Sequence, residues 1–112
     1  MSFDVKTTSR FEKSAKMLFK RHRSLKSDLN NFITSLELNP FQGDELQPGI
    51  RKIRMAITSK GRGKSGGARV ITYTVVFAEN KGDVYLMDIY DKSDYSTVDV
   101  SVIQKMITEL GL

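Results

Sequence analysis

The chain has no cysteine, one histidine and two prolines among its 112 residues. Without cysteine there is no disulfide and no thiolate site, which fits a reducing compartment. With a single histidine, His22, and no carboxylate pair at ligand spacing, no metal ligand set is evident. His22 sits at a basic helix end with no acidic neighbour in sequence, so a Ser-His-Asp arrangement is equally unsupported. No apolar run approaches the roughly 18 residues of a membrane span, and no signal-peptide h-region is present. The expectation is a soluble, cytoplasmic protein with no metal, cofactor or membrane partner. Its length fits one domain over residues 1–112.

A local absence says more. From Leu46 to Ala78 there is no Asp or Glu. The net charge is +5, yet residues 79–112 hold seven acids against three bases, so the cationic surplus lies in the first two thirds. The stretch IRKIRMAITSKGRGKSGGAR, Ile50 to Arg69, carries Arg51, Lys52, Arg54, Lys60, Arg62, Lys64 and Arg69. Cations on two strand-like segments joined by a glycine-rich loop suit a polyanion such as nucleic acid. The plainer reading is a solvated basic face.

Taken in order, Phe3 to Lys6 reads as a short strand with Phe3 and Val5 on one face. Ser9 and Glu12 form a capping-box pattern. Phe11, Ala15, Leu18, Phe19 and His22 then recur at helical spacing. Leu25, Leu29, Phe32, Ile33 and Leu36 make the stripe of a second helix, and the short connection predicts a helical hairpin. Asn39-Pro40 ends that helix, because the residue before proline avoids the α region. Phe41 to Gly49 is turn-rich. In Ile50 to Thr58 the side chains alternate, with Ile53, Met55 and Ile57 opposite Lys52, Arg54 and Ala56. Ser59 to Gly67 reads as a flexible loop. Arg69 to Phe77 is a central strand, Asn80 to Asp83 a turn and Val84 to Tyr90 an interior strand. Ser96 or Asp99 caps a last helix that turns Val102, Ile103, Met106, Ile107 and Leu110 inward and ends at Gly111. The pattern β-α-α-β-β-β-α predicts an α+β fold: a small antiparallel sheet of about four strands, with the helices on one side.

Gly63-Lys64-Ser65 invites a phosphate-loop reading, which fails. The motif needs a glycine where Thr58 stands and a helix where a strand follows. A basic loop settling Lys60, Arg62 and Lys64 on phosphates is the better account. Lys52 and Arg54, two apart on a strand, project from one face on the order of 7 Å apart. Arg69 opens the next strand and Tyr90 to Lys92 ends the one after. Paired as hairpins, these positions border one cationic surface that can clamp a phosphodiester and stabilise charge on its oxygens. Tyr90 could stack a base or lend a proton, or simply complete the core. Asp88, unusual in an apolar strand, either pairs with one of these cations or faces solvent on a bulge. Lys52, beside Arg51 and Arg54, is the best placed residue to accept a proton.

Together with VYLMDIYDK, the Ile50–Phe77 segment resembles the RelE/ParE toxin superfamily, most closely its HigB-type branch. The resemblance spans most of the chain and rests on the joint pattern RKIR…KGRGKSGGAR plus IYDK. It implies the toxin of a type II toxin–antitoxin module, a metal-independent endoribonuclease that enters the ribosomal A site, cuts mRNA there and inhibits translation. The implied partners are a cognate antitoxin protein, the ribosome and mRNA. By matching positions, Lys52 would activate the ribose 2′-hydroxyl, Arg54 and Arg69 would stabilise the phosphate, and Lys92 would support phosphate or leaving group. Tyr90 or Tyr95 would stand in for an aromatic residue of the site. Arg51, Lys60, Arg62 and Lys64 would hold RNA. Two positions depart from the pattern: Ser93 stands where an arginine often follows the lysine matched to Lys92, and Asp99 lies near where a tyrosine often occurs. ParE-type relatives share the fold and inhibit DNA gyrase, so a non-enzymatic gyrase inhibitor or basic nucleic-acid-binding module is the alternative.

Overall fold

The computed structural model describes residues 2–95 and 97–112. Strand β1 (Ser2–Thr7) leads into helices α1 (Ser9–Arg21) and α2 (Leu25–Leu38). Strands β2 (Asp44–Gln47) and β3 (Ile50–Met55) follow, then a short 3-10 turn (Thr58–Lys60). Strands β4 (Ala68–Ala78) and β5 (Lys81–Asp91) and helix α3 (Val100–Glu109) complete the chain.

The class is α+β, but the sheet differs from expectation in three ways. It has five strands in the order β1-β5-β4-β3-β2, not about four. The extra strand, β2, lies in the segment read as turns and pairs Asp44 with Lys52. The sheet is mixed, because β1 runs parallel to β5 while the other pairs are antiparallel. The helices also occupy both faces. Phe11, Ala15 and Leu18 of α1 and Leu25, Leu29, Phe32 and Leu36 of α2 pack on one face, against Ile53, Met55, Val70 and Leu86. Ile103 of α3 packs on the other, against Ile50, Ile71, Met87 and Tyr90. Neighbouring residues such as Val70 and Ile71 feed separate cores because strand side chains alternate between faces.

Each helix is set by its own pattern and a local stop. The N-cap of α1 is Thr8, one residue before the expected box, and its Oγ1 accepts from Phe11 N. The same hydroxyl donates to Leu86 O at 2.9 Å. β1 stops level with Leu86, and α1 then lies along the second half of β5. Glu12 instead accepts from Thr7 Oγ1. Phe19 is exposed, off the buried stripe. Asn39 closes α2 ahead of Pro40. Asp99 caps α3 through Ser101 N, while the other candidate, Ser96, lies outside the described residues. Leu110 is exposed beyond the helix end. β5 carries one extra residue at Met87, where Ile71 pairs with Asp88 and Thr72 with Leu86. This bulge turns Asp88 to α1, where it accepts from Arg10 and Ser14, so its cationic partner is not one of the basic strand. Among the described residues no helix is long and apolar enough to cross a membrane.

Candidate functional site

Alternation along β3 sends Ile53 and Met55 into the core under α1 and α2, and Lys52 and Arg54 to the opposite face. The β3–β4 register sets Arg54 directly across from Arg69, and β4–β5 sets Arg69 across from Tyr90. Lys92 follows in the turn after β5. Lys52, Arg54, Arg69 and Lys92 then line one pocket of about 150 Å³, with Asp44 as its one carboxylate. Among the described residues none of these four cations makes an ion pair. Like charges this close repel one another, so the pocket favours an anion that neutralises several at once.

Arg69 is buried, and its Nη atoms donate to the carbonyls of Lys64, Ser65 and Ala68, each at 3.1 Å. Burial pulls its pKa down, Arg54 lowers it further, and only Tyr90 opposes. A guanidinium nonetheless stays charged and has five N–H donors. Arg69 therefore holds the loop and still has donors free for a ligand.

The glycine-rich loop is pinned rather than free. Thr58 and Ser59 are tied to Asp28 and Ser24 of the α2 entry. Lys60 reaches Asp91 at 2.7 Å and Ser93 at 2.8 Å. Lys92 N donates to Gly67 O at 3.0 Å, which fastens the loop's far end. Asp91 is only 1% exposed and also accepts from His22 Nε2 at 2.8 Å, Arg21 and Ser93 N. Burial pushes its pKa up, but the hydrogen bonds from Lys60, Ser93 and His22 outweigh that and hold it well below the usual carboxylate range.

Three expected site residues stand elsewhere. Arg51 points to the opposite face from Lys52, donates to Phe41 O and lies 5.6 Å from the Phe41 ring centroid. Lys60 is spent on Asp91. Tyr90 shares register with Arg69 but packs in the α3 core and does not line the basic pocket. Burial raises its pKa, Arg69 opposes and Asp88 adds to the rise, and its hydroxyl has no partner among the described residues. Arg62 and Lys64 remain exposed on the loop. The residues missed from sequence are Asp44, hidden in a segment read as turns, and the His22–Asp91 pair. Asp91 belongs to the IYDK motif, and its partner is 69 residues away.

Among the described residues no three His, Cys, Asp or Glu side chains group as metal ligands. Fold and site together define a small α+β protein with a cationic pocket of about 150 Å³ on one sheet face. No protein-family model matches the chain.

Proposed function

We propose that this chain is the toxin of a type II toxin–antitoxin module, of RelE/ParE kind and nearest the HigB-type branch. It acts in the cytoplasm, cleaves mRNA in the ribosomal A site and is neutralised by a cognate antitoxin. The observation that carries the reading is the convergence of Lys52, Arg54, Arg69 and Lys92, which make no ion pair among the described residues, on one pocket. In the reaction, the ribose 2′-oxygen loses its proton and attacks the adjacent phosphorus. The bond to the 5′-oxygen breaks, and that oxygen takes up a proton. The products are a 2′,3′-cyclic phosphate and a 5′-hydroxyl. Arginine stays protonated, so Arg54 and Arg69 hold the negative charge on the non-bridging oxygens. Proton exchange falls to the lysines: Lys52, reacting as the neutral amine, accepts from the 2′-hydroxyl, and Lys92, as the ammonium, protonates the leaving oxygen. Arg62 and Lys64 steer and hold the RNA backbone.

Primer extension on a defined mRNA, with and without programmed ribosomes, tests this. Cuts within A-site codons that depend on ribosomes are expected. Lys52→Ala should lower cutting by about 100-fold or more, the usual worth of a positioned proton acceptor. Arg54→Ala is a cleaner second variant than Arg69→Ala, because the Arg69 side chain also anchors the loop. Folded protein that cuts in neither sample would leave the gyrase-inhibitor or binding-module reading.

A further inference from the structure

The basic pocket is not closed. Past Lys52 and Arg54 it meets a larger cavity of about 410 Å³ that also touches Gln42 and Lys64. Arg54 and Lys64 also line a third cavity of about 290 Å³, with Asn31, Ser35, Gln42 and Phe32. Arg54 borders all three, and the 410 Å³ cavity shares Asp44 and Lys52 with the basic pocket and Gln42 and Lys64 with the third, so the three adjoin along one groove. β2 pairs only with Ile50, Arg51 and Lys52, so it leaves the Arg54 end of β3 uncovered beside these cavities.

The chemistry changes along this groove. Its first part is cationic. Its far end, beside α2, is lined by the neutral side chains of Asn31, Ser35 and Gln42. Asp28 bounds that end, its carboxylate already occupied by Thr58 and Ser24. The amides at that end suit the edge of a base. A single strand with one base splayed out matches such a groove, while a duplex hides its base edges.

Gln42 is fixed in one orientation. Its Nε2 lies 3.1 Å from Ser35 O, 3.2 Å from Ser35 Oγ and 2.9 Å from Asn39 O. Two of these partners are carbonyls, so that end of the amide must be nitrogen, and Oε1 is left as an acceptor. Asn31 is exposed, and its amide has no partner among the described residues. We infer that this amide-lined end is a base pocket beside the phosphate site, where Gln42 Oε1 accepts from an exocyclic amino group. Adenine, cytosine and guanine carry such a group and uracil does not. The inference rests on the reading above only in taking the ligand to be single-stranded RNA.

The test is fluorescence anisotropy of the full chain with labelled hexanucleotides of A, of C and of U. The A and C strands should bind about two- to ten-fold more tightly than U, the worth of one net hydrogen bond. In Gln42→Leu, with folding checked by circular dichroism, the ratio should fall to near one. Asn31→Ala, on an exposed helix surface, should keep the fold and weaken all three strands. Lys52→Ala should weaken all three equally and leave the ratio intact. Equal binding of the three strands by the wild type would overturn the inference. So would a ratio that survives in folded Gln42→Leu, or unchanged affinity in Asn31→Ala. The nuclease reading fails separately: base preference without any cleavage would keep the groove and remove the chemistry.

Discussion

Asp91 collects donors from three separate segments: the end of α1, the 3-10 turn and its own following turn. Its carboxylate is what brings the basic loop and Lys92 to the same corner of the sheet. Asp91→Asn should cost about 2 kcal/mol at neutral pH, the scale of a lost charged hydrogen bond. The sign with pH follows from the depressed pKa. The stabilisation is full above the unfolded value of roughly 3.9 and is lost as pH falls below it. Denaturant unfolding of wild type and variant should therefore show a gap at pH 7 that narrows at pH 3. At this scale Lys52 and Arg54 were legible in the sequence, because strand alternation alone puts them on one face. That Arg69 borders the same surface was legible too, but not that it anchors its own loop. The His22–Asp91 pair was not legible, since nothing local in the sequence links residues 69 apart.

Among the elements, Thr8 has an unusual double task. Its hydroxyl accepts from the first turn of α1 and donates to Leu86 O where β1 leaves off. Thr8→Ala should destabilise by about 1–2 kcal/mol, the upper part of the N-cap range, and Thr8→Ser should recover most of it. Chemical denaturation of the three proteins checks this. The three helices and the long strands were readable because their apolar periods are strong. β2 was not: it is a short, polar strand at the sheet edge, with nothing apolar but Leu46 to betray it. The parallel pairing of β1 and the side chosen by α3 were also hidden. Amphipathic period says that a helix buries one face, but not which side of a sheet receives it.

At the scale of the whole molecule, the uneven charge seen in the sequence becomes a sorting of partners. The acids of the C-terminal third fold back on the N-terminal third: Asp83 takes Lys6, Asp88 takes Arg10, and Asp91 and Asp94 take Arg21. Of the acid-free stretch, Lys60 alone is drawn into this set among the described residues. Among the described residues Lys52, Arg54 and Arg69 make no ion pair, and Asp44 is the one carboxylate in their pocket, so the pocket keeps a cationic surplus. Binding of single-stranded RNA should therefore weaken steeply with salt. At about 0.7 per neutralised phosphate, a groove seating two to four phosphates gives a log–log slope of about 1.5 to 3. Lys52→Ala should reduce that slope by no more than about 0.7, a loss of one contact. Its cleavage should fall much further, because the same side chain is proposed to move a proton. Measuring both on one variant separates the two roles. A modest loss of affinity with a large loss of cutting marks Lys52 as chemical. Cutting that falls only as far as binding does would make the pocket a phosphate clamp, with proton transfer lying elsewhere.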